Sequence, residues 1–427
     1  MDHFQQGITN RPPDHALLLA LQLNTTDPAR SAEAVERLRE VVHRERRSDL
    51  NETTPTSPKE QPSAETGELG FDDHYERYHL TATVGFAASA YDKLGVAPEE
   101  RPQDLRSIDW AALGDNPRKP DNGDIVVQVC TDSVYIAEHF QRRIEEELGD
   151  VVSVAWVVAG SQRHNSRSGR AGREEGRALI GFKDGTSNLN PRHNPDDAKL
   201  VFVNPADIGD YPPTVPIVGP GAANPYGGGP QPPNFPPDLH APPTREPDWA
   251  EDGSYMVVRA SVIDTATWDK RSLGEQEHTV GRFKVSGQAL DKPDDASQSP
   301  TDPDYAADPN GATTPVTAHI RKANPRGPDD AKRELFRRGY PLVLAEVEAT
   351  QCGLVFVSFA RTVTTQFEFI TRAWTNNPDF PFPGAGIDTL RAFETVLCGG
   401  YFFVPPLARP SQPWSWVVPL EGVPATA

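Results

Sequence analysis

Three short segments of this sequence hold the side chains with the most chemical capacity. Gly181-Phe182-Lys183-Asp184-Gly185-Thr186-Ser187-Asn188 sets a carboxylate at an Asp-Gly turn, followed by hydroxyl and amide groups. Thr317-Ala318-His319-Ile320-Arg321-Lys322-Ala323-Asn324-Pro325-Arg326 places one histidine in a basic stretch. Phe336-Arg337-Arg338-Gly339-Tyr340 follows, with His319 and Arg337 18 residues apart. A carboxylate can move protons, an imidazole can ligate a metal or move protons, and a guanidinium can hold developing negative charge. Taken one at a time, each has a plainer reading. Asp-Gly-Thr-Ser-Asn is turn chemistry, one His among 11 is more often structural, and an arginine is more often a surface charge.

The elements that must position these segments follow from hydrophobic periodicity. Leu17–Leu23 is a short apolar run and reads as a buried strand. Asp27 or Ser31 is placed to cap a helix in which Ala34, Val35, Leu38, Val41 and Val42 recur at helical spacing. Leu80–Phe86 and Asp124–Cys130 read as strands. Asp132 is placed to cap a helix bearing Val134, Ile136, Phe140 and Ile144, and Val151–Val158 is a fourth strand. The second half repeats the order more loosely. A strand at Met256–Ile263 precedes a helix around Ala266–Val280. Strands at Leu342–Val347 and Leu354–Phe359, a helix at Thr365–Trp374 and a strand at Tyr401–Val404 complete it. Two successive β-α-β-β-α-β units predict an α+β protein of two ferredoxin-like domains, each an antiparallel sheet with helices on one face. The expected division is 1–165 and 166–427. The second part contains a Pro/Gly-rich insertion at about 205–248, where 14 prolines fall between Pro205 and Pro247 and exclude a helix or a central strand.

Composition narrows the function classes. The 427 residues are 37% hydrophobic and 24% charged, enough apolar material for a sizeable core. With 42 Lys plus Arg against 61 Asp plus Glu, the net charge of −19 repels phosphate backbones, and nucleic acid is not expected as a partner. No apolar run approaches the roughly 18 residues of a membrane span, so no membrane partner is expected. Cys130, Cys352 and Cys398 show no CxxC or CxxCH spacing. That argues against a disulfide scaffold, a structural zinc site, an iron–sulfur cluster or covalently attached haem. The motifs GxGxxG after a strand, the P-loop and HExxH are missing, and the carboxylates of Asp291–Asp308 lack EF-hand spacing.

Read together, the segments resemble the dye-decolorizing peroxidases, haem b enzymes built from two ferredoxin-like domains. The resemblance covers essentially the whole chain. GFKDGTSN is similar to the family's distal GxxDG motif, HIRKANPR to its proximal histidine motif and RRGY to its distal arginine. Trp268–Lys284 and Gly399–Pro405 are also similar to family segments. The likeness is greatest to the bacterial branch that includes deferrochelatase-type peroxidases, whose members usually carry a twin-arginine export signal. Met1-Asp2-His3-Phe4 offers neither a basic n-region nor a hydrophobic h-region. The expectation is a cytoplasmic protein as written, secreted or periplasmic if an export signal was removed.

The resemblance implies roles. His319 would ligate the iron of one haem b per chain, leaving the opposite axial position for peroxide. Asp184 would be the distal acid–base, and Arg337 would stabilise charge on the leaving oxygen. Gly185, Thr186 and Ser187 would approach the porphyrin edge or a propionate. Asn324, Pro325 and Arg326 would lie on the haem as well, Arg326 as a propionate partner. Asp388 or Glu394 would accept the other ring N–H of His319. Phe356, Val357 and Phe359 would line the pocket or pack the core, and Trp374 or Tyr340 would relay electrons from bulky dyes or simply pack. The implied function is a haem peroxidase that uses hydrogen peroxide, through compound I, to oxidise dyes, phenols and other small aromatic donors at acidic pH. A homo-oligomer is among the expected assemblies. The alternatives are deferrochelatase-like release of iron from haem and a non-enzymatic haem carrier or sensor.

Overall fold

The structure is a computed structural model and describes residues 4–47, 79–162, 177–183, 186–207, 243–327, 330–344 and 351–407. In the first half, strand β1 (His15–Leu23) is followed by helix α1 (Pro28–Arg47), β2 (Thr81–Phe86), α2 (Ala88–Lys93), β3 (Ile125–Thr131), α3 (Val134–Leu148) and β4 (Val152–Ser161). The antiparallel pairings run β4-β1-β3-β2, the ferredoxin-like order. In the second half, α4 (Pro195–Val201) precedes β5 (Ser254–Asp264), α5 (Thr265–Trp268), α6 (Leu273–Val280) and α7 (His319–Ala323). Strands β6 (Phe336–Arg337), β7 (Tyr340–Leu344), β8 (Gln351–Ala360) and β9 (Glu394–Val404) follow. Here β9-β5-β8 continues into β7 and β6, the same order again.

The four strands of the first unit and the five of the second join edge to edge, β2 to β9 and β4 to β7, so the pairings close into one ring of strands. The closure explains the unbroken apolar run of β1. Leu17, Leu19 and Leu21 face the helix-covered side with Leu38 and Val42 of α1 and Phe140 and Ile144 of α3. Ala16, Leu18 and Ala20 face inward and meet Met256, Val258, Val357 and Phe359 of the other half. Both faces are dry, so alternation is lost while period-two packing remains. Each fully buried Leu adds about 1.5–3 kcal/mol.

Several local expectations change. Asp27 does cap α1, accepting from the Ala29 amide at 2.9 Å, whereas the Ser31 side chain is buried. Asp132 does not cap α3. Ser133 is the capping position, and the Asp132 carboxylate instead accepts from the Asp14 amide at 2.9 Å and pairs with His79. The helix expected over Ala266–Val280 is two, because Ser272 and Glu275 form a reciprocal capping box that starts α6 afresh. Thr365–Trp374 is helical but π-wound, as Val363–Glu368 and Ile370–Thr375. Its first amides, Val363 and Thr364, are capped by Asp104 from the first half at 2.6 and 2.9 Å. Strand β7 is described to Leu344, short of the expected Val347. Most of the Pro-rich insertion lies outside the described residues.

Candidate active site: an arginine-rimmed cavity over His319

His319 opens α7, and its ring Nδ1 stands 2.7 Å from Asp388 Oδ2. Asp388 is buried and locked from its other side. It caps the short turn Thr389–Phe393 through Oδ1, which accepts from the Leu390 amide at 2.9 Å. A carboxylate oxygen can only accept, so Nδ1 carries the hydrogen and the Nε2 lone pair is left free. Burial opposes charge on the imidazole, but the Asp388 charge and hydrogen bond more than offset it and raise the His319 pKa. Between the two candidate acceptors, the structure puts Asp388 on His319.

Glu394 is engaged elsewhere. Arg259 donates to it at 2.6 and 3.0 Å, Arg391 at 3.1 Å, and both arginines also bind Asp115. Burial works against the Glu394 carboxylate, yet the two guanidiniums hold its pKa at about 2. This network forms one wall of a cavity of about 350 Å³ that His319 also lines. The His319 side chain is 42% exposed, and the cavity is where that exposure opens.

Arg337 enters the same cavity from β6. Asn188 fixes its backbone twice, accepting from the Arg337 amide at 3.0 Å and donating to its carbonyl at 2.8 Å. The Arg337 guanidinium donates to the Thr186 carbonyl at 2.9 Å. Residues 186–188 and Arg337 are therefore one unit, although 149 residues separate Asn188 from Arg337. Arg338, next along the strand, points to the opposite face and is buried against the Ile8 and Asn10 carbonyls. Asp184 and Gly185 lie outside the described residues.

Thr186, Ser187, Asn324 and Arg326 line the cavity. Ser187 donates to Asp302, which also pairs with Arg326 at 2.9 Å. Asn324 turns its amide to Glu334 at 2.9 Å. Pro325 is buried, follows the Asn324 helix cap and is not among the residues that line the cavity, and Arg326 after it has φ of 66°. Phe356 lines the cavity, whereas Val357 and Phe359 belong to the inner core. Trp374 lines the cavity and Tyr340 does not. Both are buried, so neither is a surface relay.

Sequence reasoning missed Arg282, a buried cavity-lining arginine that follows α6. Its Nη1 donates to the Gly287 and Thr301 carbonyls at 3.0 and 3.3 Å, while its Nε is buried without a partner. Burial lowers its pKa, with Arg326 and Arg337 adding repulsion. Arg326 Nε is likewise buried and unpartnered. Three guanidiniums with donors to spare flank walls of Ile180, Phe182, Ile263, Leu354 and Phe356. Among the described residues no three His, Cys, Asp or Glu side chains gather to hold a metal ion. A flat apolar macrocycle with acidic substituents satisfies the free donors, the apolar walls and the free Nε2 together, and the residues present fit haem.

The fold and site thus define a haem-type oxidoreductase architecture. The chain matches the sequence model of Dyp-type peroxidase, N-terminal, over residues 5–162, and of Dyp-type peroxidase, C-terminal, over residues 229–409. It belongs to the Dyp-type peroxidase family and is a haem-dependent peroxidase. The deferrochelatase of Escherichia coli (strain K12) is 27% identical over 358 residues, 82% of this chain and 71% of the relative. The deferrochelatase of Shigella flexneri is 27% identical over 355 residues, 82% of this chain and 70% of the relative. Among solved structures, a DyP-type peroxidase from Cellulomonas bogoriensis superposes with TM-score 0.64 at 25% identity, covering 94% of this chain and 92% of that one. Ferric DtpA from Streptomyces lividans gives TM-score 0.68 at 24% identity, covering 95% and 93%, and supports the fold. No helix among the described residues is long and apolar enough to cross a membrane.

Proposed function

We propose that this chain is a haem b peroxidase whose iron is ligated by His319 and which spends hydrogen peroxide on the oxidation of dyes, phenols and similar aromatic donors. The observation that carries the reading is the shared cavity. His319, oriented by Asp388, and Arg337, oriented by Asn188 and Thr186, both line it. Haem, when bound, supplies the iron on which peroxide is cleaved and the oxidising equivalents that donors then reduce. Asp388 keeps the His319 ring in one tautomer and makes Nε2 more basic. Arg337 holds negative charge as it develops on the departing peroxide oxygen. Asp184, two residues before the Thr186 carbonyl that Arg337 binds, takes a proton from one peroxide oxygen and returns it to the oxygen that leaves as water. Arg282 and Arg326 bind the propionates.

The test is turnover of a phenol and an anthraquinone dye by haem-reconstituted wild type, Arg337→Leu and Asp184→Asn. The expected loss is about 10²–10³ in kcat for each variant with haem still bound. Because free Asp ionises near pH 4, wild-type turnover is expected to peak at acidic pH, at about 4–5. Wild-type turnover unaltered in both variants, or an optimum above neutrality, refutes the assigned roles. A second reading, iron release from haem, is favoured by the deferrochelatase relatives. It predicts iron-free porphyrin as product, which the same reconstituted sample reveals by its fluorescence.

A further inference from the structure

Lys322 is fully buried in α7, three residues after His319, where an ammonium is costly unless something requires it. Its Nζ donates to the Asn377 carbonyl at 2.9 Å and to the Phe380 carbonyl, and lies 5.5 Å from the Phe380 ring centre. Both carbonyls belong to the loop that leads to Asp388. That loop folds back on itself, with the Gly386 amide donating to the Pro378 carbonyl at 2.7 Å and the Asp388 amide to the Thr375 carbonyl at 2.8 Å. Phe380 also stacks on Trp374 of the cavity wall, with ring centres 5.8 Å apart. The segment that carries His319 and the stretch that carries Asp388 therefore meet at the imidazole–carboxylate hydrogen bond, at the Thr317 carbonyl, which accepts from the Thr389 amide at 3.0 Å and its hydroxyl at 3.1 Å, and at the two hydrogen bonds that Lys322 donates to carbonyls.

We infer that Lys322 is a positioning residue for the proximal histidine: it ties the 377–388 loop to α7 so that Asp388 is held in register with His319 Nδ1. The inference rests on His319 being the haem ligand and adds the residue that keeps its hydrogen-bond acceptor in place. Burial lowers the Lys322 pKa to about 7 while Asp388 and Asp379, the acids that face it, oppose that shift. The low value agrees with an amine held by carbonyls rather than by a direct ion pair.

The experiment compares parent, Lys322→Met, Lys322→Gln and Asp388→Asn by two readouts. The first needs no haem: hydrogen exchange at the Asp388 amide is expected to accelerate about tenfold in Lys322→Met, as the loop loses its tether. The second is the iron–histidine stretching band of the ferrous haem-loaded protein. It is expected to move to lower frequency in Lys322→Met, in the direction of Asp388→Asn and by less, since a looser Nδ1–H bond gives a weaker ligand. Lys322→Gln keeps an N–H donor group on a shorter side chain and is expected between parent and Met on both. It decides the matter if the Met variant does not fold. Parent-like exchange and an unmoved band in a folded Lys322 variant overturn the inference. A parent that shows no iron–imidazole band overturns the His319 reading instead, and the exchange comparison then judges the tether by itself.

Discussion

Replacing Glu394 by Gln is expected to destabilise the protein in a pH-dependent way. Glu394 is 17% exposed at its side chain and is held by Arg259 and Arg391. Its pKa falls from 4.5 to about 2. A difference of 4.5 − 2 = 2.5 units corresponds to about 3 kcal/mol of stabilisation of the charged form. The folded value lies below the unfolded one, so the stabilisation is complete above about pH 4.5 and is lost as pH falls toward 2. At pH 3.5 linkage removes about 1 kcal/mol of it. The assay is urea unfolding of wild type and Glu394→Gln at pH 7 and pH 3.5. At pH 7 the variant is expected to be about 3 kcal/mol less stable, because two guanidiniums lose one of the two carboxylates that they share. At pH 3.5 the gap is expected to narrow by about 1 kcal/mol. A gap that is the same at both pH values refutes the argument that Arg259 and Arg391 set the charge of Glu394.

Three further outcomes follow from other sites. Glu246 has the opposite sign: burial raises its pKa to about 7 despite hydrogen bonds from Tyr255 and the Gln103 amide, so its charge costs stability as pH rises from about 4.5 to 7. Wild type is expected to lose about 2 kcal/mol against Glu246→Gln between pH 5 and pH 8 in urea titrations, and a flat difference contradicts it. Gly399→Ala places a methyl on the Val258 carbonyl oxygen at the β5–β9 pairing, and thermal melting is expected to show a loss of about 2–4 kcal/mol. Arg326→Gln removes a charged donor from the cavity rim. Haem transfer to an excess of apomyoglobin is expected to run about tenfold faster than from wild type.

How much of this was legible in the sequence depends on the range of the signal. The repeated β-α-β-β-α-β order is local, written in runs such as Leu17–Leu23, and it gave the right sheet order twice. The ring closure between β2 and β9 and between β4 and β7 is not local, and no residue in those strands announces it. Strand β6 is two residues long, below what periodicity can register. Its alternation nonetheless settles which arginine reaches the cavity, because Arg337 and Arg338 must face opposite ways. Asp132 looked like a cap since it precedes an amphipathic helix, but His79 and the Asp14 amide compete for its carboxylate. Asp388 and Glu394 were equivalent in sequence. Arg259 and Arg391, brought in by β5 and the turn after Asp388, occupy Glu394 and leave Asp388 for His319. Arg282 lies in the Trp268–Lys284 segment that resembles the family, but nothing there singles it out from its neighbours, whereas its burial without a partner for Nε does.

The most direct test of the central claim is the visible spectrum of the haem-reconstituted protein before and after one equivalent of hydrogen peroxide, in wild type and in His319→Ala. The account predicts a stoichiometric Soret band in wild type that shifts on adding peroxide and returns when a phenol is supplied, and a lost or grossly altered band in the variant. Wild type that takes up no stoichiometric haem, or His319→Ala with an unaltered spectrum and reaction, contradicts it.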